Sequence, residues 1–246
     1  MTLADILRPS CALFPDFDGT MVDIAPQPHA VLVPQPLIDA VRALHGLLGG
    51  AVAVISGRPI AQIDAFLQPL QLPVAGVHGA ERRGVDGKLV LLHTHPLDHV
   101  ERAARALAAR HPGLIVETKR GSLALHYRQA PELEDECLQA MQAAVDASPG
   151  VTLLRGKMVA EAKPGGASKG RAIEDFLSEP PFAGRTPVFI GDDVTDEAGF
   201  STVQRLGGIG IKVGEGATVA WRRLPDPSAL RSELEAAVAA RTPRTA

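Results

Sequence analysis

The sequence predicts an α/β protein: a parallel sheet covered by helices, with a second, smaller α/β unit inserted into it. Three observations lead there. Short apolar runs alternate with helical patterns, the arrangement that builds parallel sheets. The middle of the chain breaks that rhythm with a self-contained βαββαββ pattern. A length of 246 residues at 46% hydrophobic composition suffices for one large domain or two smaller ones, each with its own core.

In chain order, core strands are expected at 11–15, 51–55, 74–77, 187–190 and 209–213. A helix over 36–48 carries Leu37, Val41, Leu44 and Leu48 on one stripe. Another opens after Arg58-Pro59, with proline suited to a first-turn position. The inserted pattern reads as a strand at 88–93, a helix at 97–110, strands at 113–118 and 122–128 around Lys119-Arg120-Gly121, a helix at 131–147, and a hairpin-like pair at 151–155 and 157–162. This divides the chain into a core of 1–80 with 165–246 and an inserted unit of 81–164. Pro164-Gly165-Gly166 makes a hinge, and Ser168 is suited to cap a helix at 169–178. A last helix, 228–240, places Leu230, Leu234 and Val238 on the sheet, and the tail from Arg241 to Ala246 is expected to fray.

Composition excludes several functions. A net charge of −3 with 25 scattered Lys and Arg argues against nucleic acid or an anionic membrane as partner. The N-terminus lacks the pattern of a secretory signal, and no apolar run approaches the ~18 residues of a membrane span. Cys11 and Cys137 have no metal-ligand spacing and read as reduced, structural thiols, so a cytoplasmic location is expected. Oligomeric state is not readable; a monomer is compatible with everything above.

The chemistry begins at Asp16-Phe17-Asp18-Gly19-Thr20, directly after the first strand. Two carboxylates at i and i+2 face the same way and repel unless a cation or a proton intervenes. Ser56-Gly57-Arg58 follows the second strand, Lys169 begins a helix, and Gly191-Asp192-Asp193 follows the strand at 187–190. Ligands of open α/β sheets bind outside the carboxyl ends of the strands, so these groups can converge although distant in sequence. Singly, Ser-Gly-Arg suits an ordinary polar turn and Lys169-Gly170 a solvated helix start. Asp-x-Asp-Gly alone could open a calcium loop, but the remaining ligands of that loop are missing. Together they predict magnesium-assisted phosphoryl transfer. Asp16 would attack phosphorus, and Asp18 would serve as general acid and base. Asp16, Asp192 and the backbone carbonyl of Asp18 would hold Mg²⁺, while Lys169 and the Ser56 hydroxyl would contact phosphoryl oxygens. A phosphorylated receiver or a phosphomutase would use similar acids; the large insertion and Asp18, which favours turnover, argue against the first, and the second stays open.

The order Asp-x-Asp-Gly-Thr, Ser-Gly-Arg, Ser-Lys-Gly, Gly-Asp-Asp-x-x-Asp resembles the haloacid dehalogenase (HAD) superfamily. Gly76-Val-His-Gly-Ala-Glu-Arg82, Leu125-His-Tyr-Arg128, Gly156-Lys-Met-Val-Ala-Glu161-Ala-Lys-Pro164, the extended motif Gly191–Glu197 and the run Arg205–Gly214 followed by Gly216-Ala-Thr make the chain similar, nearly end to end, to trehalose-6-phosphate phosphatases. That resemblance implies a Rossmann-like core with helices on both faces of the sheet, an inserted α/β (C2-type) cap, and Mg²⁺-dependent release of trehalose and phosphate from trehalose 6-phosphate in trehalose biosynthesis. It also implies that Glu117, Lys119 and Glu161 of the cap contact the disaccharide. Without the resemblance, Glu117 and Lys119 read rather as a solvated strand face with a surface ion pair. Pro15 and Met21 depart from the family pattern, neither removing a chemical group. His78, Glu81 and Arg82 fall at the core–cap junction, and His126 and Arg128 alternate on one strand; none is placed among the catalytic groups. His93, His95 and His99 follow no zinc spacing and read as surface histidines.

Overall fold

The computed structural model describes residues 1–92, 96–119 and 121–241. In it the strands are β1 (Cys11–Pro15), β2 (Val54–Ile55), β3 (Val74–Gly76), β4 (Glu81–Arg83), β5 (Leu89–Leu91), β6 (Ile115–Lys119), β7 (Ser122–His126), β8 (Val151–Gly156), β9 (Val159–Pro164), β10 (Thr186–Gly191), β11 (Ile209–Val213) and β12 (Arg222–Leu224). The helices are α1 (Leu3–Ile6), α2 (Gln35–Leu47), α3 (Ile60–Leu67), α4 (Asp98–Arg110), α5 (Glu134–Asp146), α6 (Lys169–Leu177), α7 (Glu197–Arg205) and α8 (Pro227–Ala239).

Strands β1, β10, β11 and β12 form one parallel sheet in the order β1-β10-β11-β12. Strands β2 and β3 run parallel and continue antiparallel into β4 and β5. A single parallel bridge, Leu13 to Val52, joins the two halves side by side. Its brevity has a cause in the sequence. Leu13 N–H donates to Ala51 and Ala53 N–H donates back to Leu13. Period-two alternation puts the next donor at Pro15, which has no N–H. The strand expected over 51–55 is therefore regular only at Val54–Ile55.

Both faces of this sheet are covered. Leu13, Val54, Val74, Val188, Ile190 and Ile211 pack with apolar residues of α1, α2, α3 and α8. Their strand neighbours Ala12, Phe14, Ala53, Ile55 and Phe189 pack with α6 and α7 on the other side. Burial on both faces explains why these strands read as continuous apolar runs.

The second sheet is antiparallel, in the order β6-β7-β9-β8, and packs on α4 and α5 around its own core, with Leu107, Leu125, Tyr127, Met141 and Ala160 at its centre. One expectation is corrected. The strand read at 88–93 as the opening of the inserted unit is β5, and it pairs with β4 at the edge of the core sheet. Residues 81–91 thus extend the core, and the separate sheet unit begins at α4. An apolar tripeptide fits either sheet, and only its long-range partner decides. His93 and His95 lie outside the described residues; His99 is exposed. Cys11 and Cys137 are buried and unbridged. No helix among the described residues is long and apolar enough to cross a membrane.

Candidate active site

The functional side chains collect at the carboxyl ends of the parallel strands. Asp16 follows β1, and its N–H still donates to Ile190 of β10, so the nucleophile candidate is fixed to the sheet beyond Pro15. Asp192 follows β10, and Lys169 opens α6, whose first turn is capped by the Ser168 hydroxyl accepting the Arg171 N–H at 3.1 Å. The Lys169 ammonium lies 2.8 Å from Asp16 Oδ1 and 2.6 Å from Asp196 Oδ1, and is only 3% exposed. Thr20 Oγ1 stands 3.4 Å from Asp16 Oδ2 and 3.3 Å from Asp192 Oδ1, bridging the two acids. Gly19, at φ +72°, lets the chain turn away there. A Cβ would lie 2.2 Å from Asp192 Oδ2, so no other residue leaves Asp192 in place.

Asp16, Asp192 and Asp196 offer oxygens that all lie within 4.8 Å of one another. Burial raises the Asp16 pKa well above the carboxylate range, with Asp192 and Asp196 adding repulsion and Lys169 opposing both. Burial, then Asp196, pushes Asp192 up to about 6. Lys169 shows the reverse balance. Burial disfavours its ammonium, but the contacts with Asp16 and Asp196 outweigh burial and raise its pKa. The cluster thus holds more negative charge than one ammonium neutralises.

Asp196 was absent from the expected set, although it belongs to a run of four acids in six residues. Its Oδ1 takes the Lys169 ammonium, and its Oδ2 accepts the N–H groups of Asp192 and Asp193, each at 2.9 Å. Both oxygens are therefore committed to orienting Lys169 and the Asp192 loop. Lys212 also donates to the Asp192 carbonyl. Asp18 points elsewhere: Arg58 grips its carboxylate with Nε at 2.6 Å and a terminal nitrogen at 2.7 Å. The Asp18 carboxylate is thus outside the cluster; the metal contact expected of it was through its carbonyl. Ser56 is buried, and its Oγ accepts the Arg58 N–H at 3.1 Å, leaving its own hydrogen free of that bond.

A cleft of about 680 Å³ begins at this cluster and runs beneath the second sheet. Asp16, Asp18, Lys169 and Asp192 line one part, and Glu117, Lys119 and Glu161 line another; Ser56 lies just behind the wall, next to Gly57 and Arg58. Glu161 is 4% exposed, accepts the Ser122 hydroxyl at 2.8 Å, and has Lys119 Nζ at 3.6 Å and His78 Nε2 at 3.2 Å. Burial alone would raise its pKa, yet His78, Lys119 and Ser122 together hold it below the usual range. Glu117 is likewise lowered against burial, chiefly by His126 Nε2 at 2.9 Å. Lys119 Nζ donates to the Gly57 carbonyl at 3.1 Å, joining the second sheet to the core. The structure therefore brings the three expected sugar-site residues together and adds Arg58 and His78.

Residues 14–226 match the family model for trehalose-phosphatase. The chain belongs to the trehalose-phosphatase family. It is 46% identical over 216 residues to the trehalose-6-phosphate phosphatase of Escherichia coli (strain K12), an alignment spanning 86% of this chain and 80% of the relative. It is 42% identical over 229 residues to a probable trehalose-phosphate phosphatase of Sinorhizobium fredii (strain NBRC 101917 / NGR234), spanning 92% and 86%. The C-terminal domain of C. albicans trehalose-6-phosphate phosphatase superposes with a TM-score of 0.86 at 21% identity, over 94% of this chain and 93% of that one. A phosphatase of the haloalkanoate superfamily from Bacteroides thetaiotaomicron does so at 0.59 and 18%, over 94% and 95%. At such identities these two likenesses show the fold. Membership in the trehalose-phosphatase family makes the chain a phosphatase.

Proposed function

We propose that the chain hydrolyses trehalose 6-phosphate to trehalose and phosphate, with Mg²⁺ as cofactor, through an aspartyl-phosphate at Asp16, as a cytoplasmic enzyme of trehalose biosynthesis. The single observation that carries this reading is the cleft itself, whose wall joins the Asp16–Lys169–Asp192 cluster to Glu117, Lys119 and Glu161. Its size suits a small, polar ligand of two rings. The region over 98–164 serves in this reading as the specificity cap.

The donor set fits Mg²⁺. It consists of hard carboxylate oxygens, and the raised pKa values of Asp16 and Asp192 mark a deficit of positive charge. Asp16, Asp192 and the Asp18 carbonyl would hold the ion; Asp196 keeps its contacts with Lys169 and the loop. When bound, the ion supplies charge neutralisation for the phosphoryl group. The chain's own groups do the rest. Lys169 and the Ser56 hydroxyl bind phosphoryl oxygens. Asp16 attacks phosphorus as the bond to the sugar oxygen breaks, and Asp18 gives that oxygen a proton. Asp18 then takes a proton from the water that opens the aspartyl-phosphate. To act there, its carboxyl must leave the Arg58 fork, which the entering phosphate can occupy instead.

A phosphate-release screen across sugar phosphates, with Mg²⁺ and with chelator, tests this reading. Trehalose 6-phosphate should rank first by kcat/KM, and chelation should stop turnover. A sucrose phosphate or another sugar phosphate ranking above it would remove the substrate assignment; undiminished turnover in chelator would remove the metal.

A further inference from the structure

We propose that His78 is a positioning residue: it docks Glu161 of the second sheet onto the Ser56–Arg58 loop and so sets the separation between the sugar-reading carboxylate and the phosphate pocket. This rests on the reading of Glu161 as a sugar contact.

Four observations converge on this ring. Val77 and His78 both have positive φ, 48° and 54°, in a turn that continues through Gly79 at 97°. For a β-branched valine that conformation is rare, and two such residues in succession mark a strained turn. The turn is hooked to the phosphate loop: Val77 N–H donates to the Arg58 carbonyl at 3.0 Å, and His78 N–H donates to the Ser56 carbonyl at 2.9 Å. The ring packs against Gly57, where a Cβ would come within 2.7 Å of Cε1 and Nε2, so only glycine admits it. Finally, Nδ1 is buried without a hydrogen-bond partner among the described residues. Native chains rarely leave such an acceptor unpaired without a function that demands the placement.

Strain, a required glycine and an unpaired nitrogen are all disfavoured by stability alone. What they achieve together is one contact, Nε2 to Glu161 Oε2 at 3.2 Å, between residues 83 apart in sequence. Burial lowers the His78 pKa, favouring the neutral ring, against the opposing pull of Glu161. Glu161, held ionised, only accepts, so the ring proton sits on Nε2 and is donated to Glu161. Lys119 repeats the device with its bond to the Gly57 carbonyl. Both sugar-site residues are thus referenced to the loop that carries Ser56. A closed second sheet places them at one fixed distance from phosphorus, which suits a sugar phosphate of one length.

The test is a double-mutant cycle on the full chain with Mg²⁺, measuring kcat and KM for trehalose 6-phosphate and for an aryl phosphate. His78→Ala should lower kcat/KM for the sugar phosphate by about tenfold to a hundredfold, the range for a lost bond to a charged group, and lower it at least about fivefold less for the aryl phosphate. His78→Gln, whose side-chain amide can place an N–H donor where Nε2 stands, should recover part of the loss, whereas His78→Asn keeps the left-handed turn but is too short to reach Glu161. Adding His78→Ala to Glu161→Ala should cost less than about twofold more, because the contact is already gone. Equal losses on both substrates, or losses that multiply in the double variant, overturn the proposal. If His78→Ala does not fold, the same cycle run with His78→Asn decides. Should Glu161→Ala itself fail to discriminate between the substrates, the sugar-contact reading is at fault; should it discriminate while the His78 variants do not, the positioning role is.

Discussion

Lys169→Met removes a charge and little else. Methionine has nearly the length and volume of the lysine stem, so packing in the first turn of α6 is retained. What disappears is the cation 2.8 Å from Asp16 and 2.6 Å from Asp196, at a position 3% exposed. Three carboxylates within 4.8 Å of one another then face each other without an ammonium. Removing one partner of a buried pair costs about 3–5 kcal/mol. For a chain of this size that is on the order of 10 °C in Tm, at about 2–4 °C per kcal/mol. Mg²⁺ at a hundredfold excess over its Kd stabilises a folded state by about 2.7 kcal/mol. With a cluster left more negative, the variant should draw more from the ion than the unaltered chain does. Thermal melts of both proteins in chelator and in Mg²⁺ measure this directly. The expected result is a large deficit in chelator that shrinks in Mg²⁺, with phosphatase turnover still lowered by about a hundredfold or more for want of a phosphate contact. A variant as stable as the original in chelator, or a deficit that Mg²⁺ leaves unchanged, would refute the charge argument.

Asp16→Asn should abolish phosphate release while leaving Tm in chelator equal or higher, because a carboxylate that burial and Asp192 disfavour is gone; retained turnover removes Asp16 as nucleophile. Stability should fall on the acid side. Burial depresses the His78 pKa, with Glu161, Lys119 and Lys169 as the charges around it, so the unfolded chain takes up a proton first as pH drops through about 6.5. Glu161, also depressed, adds a second loss below its ordinary 4.5. Urea unfolding from pH 8 to 4 should show both, and His78→Asn should flatten the first; an unchanged upper step contradicts it. Gly57→Ala forces a Cβ within 2.7 Å of the His78 ring and should destabilise by about 1–3 kcal/mol, read by Tm, with a rise in KM for the sugar phosphate larger than for an aryl ester.

Much of this arrangement is legible in the sequence because it is local. An uninterrupted apolar run ending in Asp16 places that carboxylate at a strand end, and Ser168 before Lys169 caps α6 as its residue type suggests. What escapes is decided by partners far along the chain. Leu89-Val90-Leu91 looks the same whether it opens an inserted unit or edges the core, and pairing with β4 settles it. The carboxylate of Asp18 meets Arg58 across 40 residues, a contact no spacing announces. Asp196 was visible as one acid among four, but its choice of Lys169 and two backbone N–H groups depends on how the loop after β10 folds. His78 was the hardest. Nothing in Val-His-Gly signals two left-handed non-glycine residues; only the backbone shows them.

The separation of tasks has an energetic consequence. The residues proposed to hold phosphate stand at strand ends of a sheet buried on both faces, so their geometry is rigid whatever lies above them. The sugar groups stand on an independent sheet with its own core, and its orientation over the phosphate is fixed by few contacts, among them those of Glu161 with His78, Lys119 with Gly57, and the Lys157 N–H with Asp193 at 3.2 Å. Two of these three run between one residue of the proposed sugar site and one of the core loop or its adjoining turn. On the proposed function, binding energy from sugar hydroxyls would be realised only when the second sheet is docked, whereas binding of phosphate would require only the core. In that case a small ester should be hydrolysed by the core groups alone, and a disaccharide phosphate should gain its advantage through docking. Substitutions should accordingly sort into two groups: those at Asp16, Asp18 and Lys169 that depress both substrates together, and those at His78, Lys119 and Glu161 that erase the difference between them.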